Sequence, residues 1–190
     1  MHQSEKEIQD ELAIIQQAKK DPEVFGFLYE KYYSAIFHFV ERRVEGASVA
    51  GDLVSQVFLK ALMNLPGYKF KGVPFSAWLY RIASNQVNEY YRSSQRERVV
   101  SLEPYHFQSL FDEAELEKPK LDQEELLIGI LNELEEAEVQ ILELRFFEER
   151  SFKEVAFILG ITENHAKVKT YRILDKVRKL VQGSVYGKKI

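Results

Sequence analysis

Apolar residues recur at steps of three and four along most of this chain, while glycine and proline, which would interrupt such a pattern, number only 9 and 5 in 190 residues. That combination restricts the fold to helices, because a period near 3.6 residues keeps one face apolar only in a helix. Ile8, Leu12 and Ile15 open the pattern, and Asp21-Pro22 closes the first helix, since proline disfavours helical backbone in the residue before it. A second helix is expected over residues 23–43, packing Phe27, Leu28, Ala35, Ile36, Phe39 and Val40. A third is expected over 49–65, stopped by Pro66-Gly67. Residues 68–74 have the composition of a basic, aromatic loop, and a long fourth helix follows over 75–98.

The period fades over residues 99–123, where Pro104, Pro119 and a run of acidic residues stand, and it returns with Leu126, Leu127, Ile130, Leu131 and Leu134, then Val139, Ile141, Leu142 and Leu144. Loss of periodicity with proline and acidic side chains is how a tether between domains reads. The expected architecture is all-α: two small helical domains, 1–98 and 124–183, joined by a flexible acidic linker, 99–123, with a tail from 184 to 190. The linker serves either as a solvated tether or as a mimic of nucleic-acid charge.

Net charge taken alone, −4, argues weakly against a nucleic-acid partner. Its distribution argues the other way. Residues 60–100 carry 7 basic and 2 acidic side chains, and residues 151–190 carry 9 and 3, whereas 101–150 carry 4 and 15. Two basic zones therefore flank an acidic one, and a polyanion can meet either of the former.

In the second basic zone, Ser151-Phe152-Lys153-Glu154 matches a capping box, in which serine hydroxyl and glutamate carboxylate satisfy free amides at a helix start. That helix turns Val155, Ala156 and Leu159 inward and ends at Gly160, a residue free to take the left-handed conformation of a tight turn. Ile161 fills the corner and Thr162 caps the next helix, 163–181. Ala166, Thr170, Ile173, Leu174, Val177 and Val181 form one face of it, and His165, Lys169, Arg172, Lys176 and Lys179 another. Helix, glycine turn and basic helix are the parts of a helix-turn-helix, whose second helix enters the major groove by its N-terminal end. Asn164, His165, Lys167 and Lys169 are placed for bases or phosphates, Arg172 for phosphates. A three-helix bundle with a solvated lysine face is the plainer reading of the same pattern.

In the first basic zone, Trp78, Arg81, Asn85, Asn88 and Arg92 fall on one helical stripe, with Leu79, Ile82, Ala83 and Val87 elsewhere. A planar stacker, cations and amides suit unpaired bases, whose faces stack on aromatics and whose edges bond to amides. Tyr68, Lys69, Phe70 and Lys71 add a second aromatic and basic group. The plainer reading is that Trp78 and Phe75 are core.

Catalytic and cofactor signatures are missing from the sequence. It has no phosphate-binding glycine loop, no cysteine, and four scattered histidines. No catalytic, metal or cofactor site is expected, and the chain is expected not to be an enzyme. No apolar run follows a basic start, and the longest aliphatic run, 126–131, is far below the roughly 20 residues of a membrane span. A cytoplasmic location without membrane insertion is expected.

Three separated motifs carry a resemblance. They are Phe27-Leu28-Tyr29-Glu30-Lys31-Tyr32-Tyr33, Asp52-Leu53-Val54-Ser55-Gln56-Val57-Phe58-Leu59-Lys60-Ala61-Leu62, and Phe75-Ser76-Ala77-Trp78-Leu79-Tyr80-Arg81-Ile82-Ala83 with Asn85. They resemble region two of an extracytoplasmic-function sigma factor, and residues 131–180 resemble region four. The resemblance implies a bacterial factor that binds core RNA polymerase, directs it to particular promoters and opens the duplex without ATP. It implies that Asp52, Leu53, Gln56, Val57 and Phe58 dock on the clamp helices of the largest subunit, with a second contact at the flap region; the plainer reading of Leu53, Val57 and Phe58 is domain core. It further implies that Lys69, Lys71, Trp78, Arg81, Asn85, Asn88 and Arg92 meet the minus-ten element. Ser151, Thr162, Asn164, His165, Lys167, Lys169 and Arg172 would meet the minus-thirty-five element, and an anti-sigma protein would occlude these surfaces. The alternatives are a helix-turn-helix regulator acting without being a polymerase subunit, and an RNA-binding or protein-interaction module.

Overall fold

The computed structural model describes residues 5–94, 110, 112–113, 129–130 and 133–186. Among them there is no strand. The expected linker lies outside the described residues apart from Leu110, Asp112 and Glu113, as do residues 95–98 of the expected fourth helix, Leu126, Leu127 and Leu131, and positions 187–190 of the expected tail. The chain divides into two compact units.

The first unit contains α1 (Glu5–Ala18), a 3-10 turn (Pro22–Val24), α2 (Phe25–Glu41), α3 (Ala47–Asn64), a second 3-10 turn (Leu65–Gly67) and α4 (Phe75–Ser94). Asp21 ends the first connection by accepting a hydrogen bond from the Glu23 amide at 3.0 Å, with Pro22 at the first position of the turn. Helix α2 therefore starts at Phe25, and its buried stripe is Phe25, Leu28, Tyr32, Ile36, Phe39 and Val40. Phe27 and Ala35, expected to pack inward, point to solvent, and Phe27 is 66% exposed. The reason is register: Phe25, three residues before Leu28, takes the inward position, and Phe27 sits a full 100° off that line.

Helix α3 buries Ala50, Leu53, Val54, Val57, Phe58 and Ala61, and α4 buries Phe75, Leu79, Tyr80, Ala83 and Val87. Edge-to-face rings tie the elements together, Phe39 to Tyr80 at 4.9 Å and Phe25 to Phe58 at 6.4 Å. Two buried charges are matched by partners, as burial demands. Glu11 of α1 receives Lys31 at 2.6 Å and the Tyr32 hydroxyl. Arg43 donates to the Phe39 carbonyl and lies 3.6 Å over the Phe39 ring, while the Tyr91 hydroxyl donates to the Arg43 carbonyl and so joins the end of α2 to α4.

The second unit contains α5 (Glu136–Leu142) continuing into a π-helical turn (Glu143–Phe147), then α6 (Phe152–Leu159), of which residues 157–159 group with the first unit, and α7 (Glu163–Tyr186). The capping box forms as expected: the Ser151 hydroxyl accepts from the Glu154 amide at 3.2 Å, and Glu154 accepts from the Ser151 amide at 3.0 Å. Gly160 is left-handed at φ 70°. Ala166, Thr170, Ile173, Leu174 and Val177 are buried as expected, and Val181 is half-buried. The buried Thr170 hydroxyl is satisfied by the Ala166 carbonyl at 2.8 Å. On α6, Val155 and Ala156 are buried as expected, Ile158 is buried beside them, and Leu159 is half-buried. Helix α7 runs to Tyr186, beyond the expected end at 181.

Candidate nucleic-acid interface

On α4 the expected stripe is present. Arg81, Asn85 and Arg92 are exposed, and Trp78 and Asn88 are half-buried, on the side opposite Leu79, Ala83 and Val87. Trp78 rests against Tyr68 at 5.0 Å and Phe75 at 5.3 Å, so its ring is fixed from below and keeps one side outward. Tyr68 itself is not part of the exposed group. It is buried, its phenol is pushed up to about 12 by burial and then by the charge of Glu11, and Lys19 donates to its carbonyl at 2.6 Å. The loop thereby presents Lys69, Phe70 and Lys71 outward, with Gly72 left-handed at φ 72°. A fixed indole edge, two amides and several cations are chemically suited to captured bases and their phosphates.

Glu89 stands on the edge of this stripe, an anion where a nucleic acid would lie. Its carboxylate is engaged by Lys60 at 3.2 Å and by Gln86 at 2.7 Å. The Lys60 hydrogen bond, followed by that of Gln86 and the charge of Lys60, holds the carboxyl below the usual carboxylate range. Local pairing thus reduces the repulsion it would otherwise exert.

The α3 residues separate into two groups. Asp52 and Gln56 are exposed, whereas Leu53, Val57 and Phe58 lie in the core. Those three lie beneath the exposed line of α3 and form no part of its surface. The outward line of α3 continues from Asp52 and Gln56 to Leu59, 57% exposed, and Met63, 71% exposed. Of the two, Met63 alone was missed, though the clue was available, since it stands off the line of Leu53, Val57 and Ala61.

On α7, Asn164, His165, Lys167 and Arg172 are exposed and Lys169 half-buried, clustered on the outward side of the turn-and-cap assembly. Thr162 accepts from the His165 amide at 3.2 Å and so acts as the cap. Ser151 is occupied by Glu154, to which its hydroxyl also donates at 2.8 Å. Both hydroxyls set helix position, and Thr162 is exposed while Ser151 is half-buried. Lys176 pairs with Glu138 of α5 at 2.7 Å, and Arg178 with Asp175 at 2.7 Å. Burial works to raise the Glu138 carboxyl, but the Lys176 and Glu135 hydrogen bonds and the charges of Lys176 and Lys169 bring it below its ordinary value.

Two further residues on the outward line, Val168 and Tyr171, were not anticipated. They follow Asn164 by four and seven positions and are 40% and 42% exposed. The Tyr171 ring lies 6.2 Å from that of Phe152. Among the described residues no group of three histidine or acidic side chains converges as a metal would need, and no helix is long and apolar enough to cross a membrane.

Comparison with known proteins is consistent along the chain. The family model for Sigma-70 region 2 matches residues 28–97, and that for Sigma-70, region 4 matches residues 130–179. The ECF RNA polymerase sigma factor BldN of Streptomyces coelicolor is 30% identical over 168 residues, 85% of this chain and 61% of BldN, so the chain spans about three fifths of that relative. The RNA polymerase sigma factor SigZ of Bacillus subtilis is 27% identical over 156 residues, 82% of this chain and 86% of SigZ. Among solved structures, CnrH, determined in complex with the cytosolic domain of CnrY, shares the fold with a TM-score of 0.61 at 20% identity, over 90% of this chain and 96% of CnrH.

Proposed function

The chain belongs to the sigma-70 family, in its extracytoplasmic-function group of transcription initiation factors, and from that premise we propose how its two units divide the work. The first unit binds core RNA polymerase and captures the minus-ten element, and the second holds the minus-thirty-five element as duplex. The observation that carries this reading is the contrast between the two outward helices. The α4 stripe is aromatic and amide-rich, suited to unpaired bases. The α7 stripe is cationic and follows a glycine turn, suited to a groove.

Lys69, Lys71, Trp78, Arg81, Asn85, Asn88 and Arg92 are the minus-ten set. Opening is a base-flipping step, in which an unstacking cost of a few kcal/mol is offset by capture of the extruded base beside Trp78 and Asn85. Asn164, His165, Lys167, Lys169 and Arg172 form the minus-thirty-five contacts, with Ser151 and Thr162 setting their geometry. Asp52 and Gln56 lead a docking face on α3, extended by Leu59 and Met63 and underpinned by Leu53, Val57 and Phe58, for the clamp helices, and the second unit meets the flap. The protein acts in the cytoplasm as an initiation factor and not as an enzyme, residues 99–123 tether domains 1–98 and 124–183, and an anti-sigma protein covers the same faces.

Purified chain added to core polymerase is expected to yield transcripts from discrete promoters in a library of genomic fragments. Tight duplex binding without polymerase, and no polymerase-dependent transcripts, would falsify the proposal in favour of an ordinary helix-turn-helix regulator.

A further inference from the structure

The sequence holds two methionines, Met1 and Met63, and no cysteine. Met63 stands on the last turn of α3 and is 71% exposed, the highest value for a large apolar side chain among the described residues. It follows the buried Val54 by about two and a half helical turns, which places it on the side of α3 away from the core. Its neighbours on that side are Leu59, four positions earlier, and Gln56, seven positions earlier, both exposed and both on the docking line. In a chain without thiols, an exposed thioether is the side chain that a two-electron oxidant meets first. We propose that Met63 is a site of reversible oxidation by peroxides, and that its sulfoxide weakens the docking of α3 on polymerase.

The step balances with the peroxide as the only co-reactant. A sulfur lone pair attacks one peroxide oxygen, the S–O bond forms and the O–O bond breaks. The departing hydroxide takes the proton of the transferred oxygen and leaves as water, so sulfur is oxidised by two electrons and the peroxide is reduced. A dithiol reverses the change, becoming a disulfide while the oxygen leaves as water. The product replaces a flexible apolar side chain with a polar one. On the free chain this costs little, because Met63 lies in solvent. Covered by a partner's apolar side chains, the sulfoxide oxygen loses its water without gaining a donor, and the penalty falls on docking alone. A partner seated on this line also shields Met63 from the oxidant. The inference rests on the docking role proposed for the outward line of α3.

The test treats the full chain with hydrogen peroxide, removes the oxidant and titrates the chain against core polymerase, with peptide mass spectrometry reading the state of Met63. Each protein is compared with itself before treatment. The parent chain is expected to bind about tenfold more weakly once Met63 is sulfoxide. Its affinity is expected to return when methionine sulfoxide reductases for both epimers, with dithiothreitol, restore the thioether. Met63→Leu, which keeps Met1 and Trp78, is expected to change less than about twofold on the same treatment. In a second measurement, Met63 is expected to oxidise at least about fivefold more slowly in the polymerase complex than in the free chain. Unchanged affinity with Met63 as sulfoxide, an equal loss in Met63→Leu, or equal oxidation rates in the free and bound chain would each overturn the inference. An untreated parent chain that does not bind core polymerase overturns the proposed function and this inference with it, whereas a parent that binds and is indifferent to the sulfoxide overturns this inference alone.

Discussion

Helices α4 and α7 both turn a polar stripe outward, but α4 is held by rings from distant parts of the chain, whereas the start of α7 is set by caps from its immediate neighbours in sequence. Beneath α4 lie Phe39 against Tyr80, and Tyr68 against both Phe75 and Trp78. Beneath the start of α7 lie a serine cap, a left-handed glycine and a threonine cap within a dozen residues. A surface that unstacks bases needs a stiff platform, which packed aromatics supply. A surface that docks into a groove needs one correct angle between two helices, and a short turn fixes that.

The contrast can be broken first in the cores. Leu79→Ala below α4 and Leu174→Ala below α7 each remove a fully buried side chain and are expected to cost about 2–5 kcal/mol. Urea unfolding checks both, with Trp78 fluorescence reporting Leu79→Ala and circular dichroism reporting Leu174→Ala. A loss under about 1 kcal/mol for Leu79→Ala would contradict a core-held α4. Next, Ser151→Ala deletes a cap that α7's partner helix depends on, for an expected loss of about 1 kcal/mol in the same assay.

A smaller effect separates cations on α7 that its sequence treats alike. Lys169→Ala is expected to weaken duplex binding about fivefold and to lower the salt slope by about one unit. Lys176→Ala is expected to leave the slope unchanged, because Glu138 already holds that ammonium. Equal slopes for the two variants would erase the distinction. The smallest effect is a pH dependence. Glu138 has a folded-state pKa below its ordinary value, so its pairing stabilises the fold above the unfolded pKa and is lost as pH falls through the folded one. Glu138→Gln is expected to flatten the decline of the urea midpoint between about pH 5 and pH 3, by a few tenths of a kcal/mol for a partly exposed pair.

Legibility in the sequence followed the same division. The capping box, Gly160, Thr162 and the inward face of α7 are local signals, and each is found where its residues indicate. The stripe from Trp78 to Arg92 was legible because helical spacing alone places it. Phe27 and Tyr68 were misplaced because their orientation depends on where α2 starts and on which ring fills the space beside Phe75. Leu53, Val57 and Phe58 could not be divided from Asp52 and Gln56 by motif, since a motif records both the surface and the residues that support it. The contacts of Glu89 with Lys60 and of Glu113 with Tyr171 join positions 29 and 58 residues apart, and no periodicity reports on such pairs.

The division of labour between the two outward helices is tested most directly by permanganate footprinting of polymerase carrying Asn85→Ala on a promoter fragment. The predicted result is a complex that binds the fragment normally through its second unit but shows no reactive thymines at the minus-ten element. A normal bubble with Asn85→Ala would contradict the assignment of strand capture to α4.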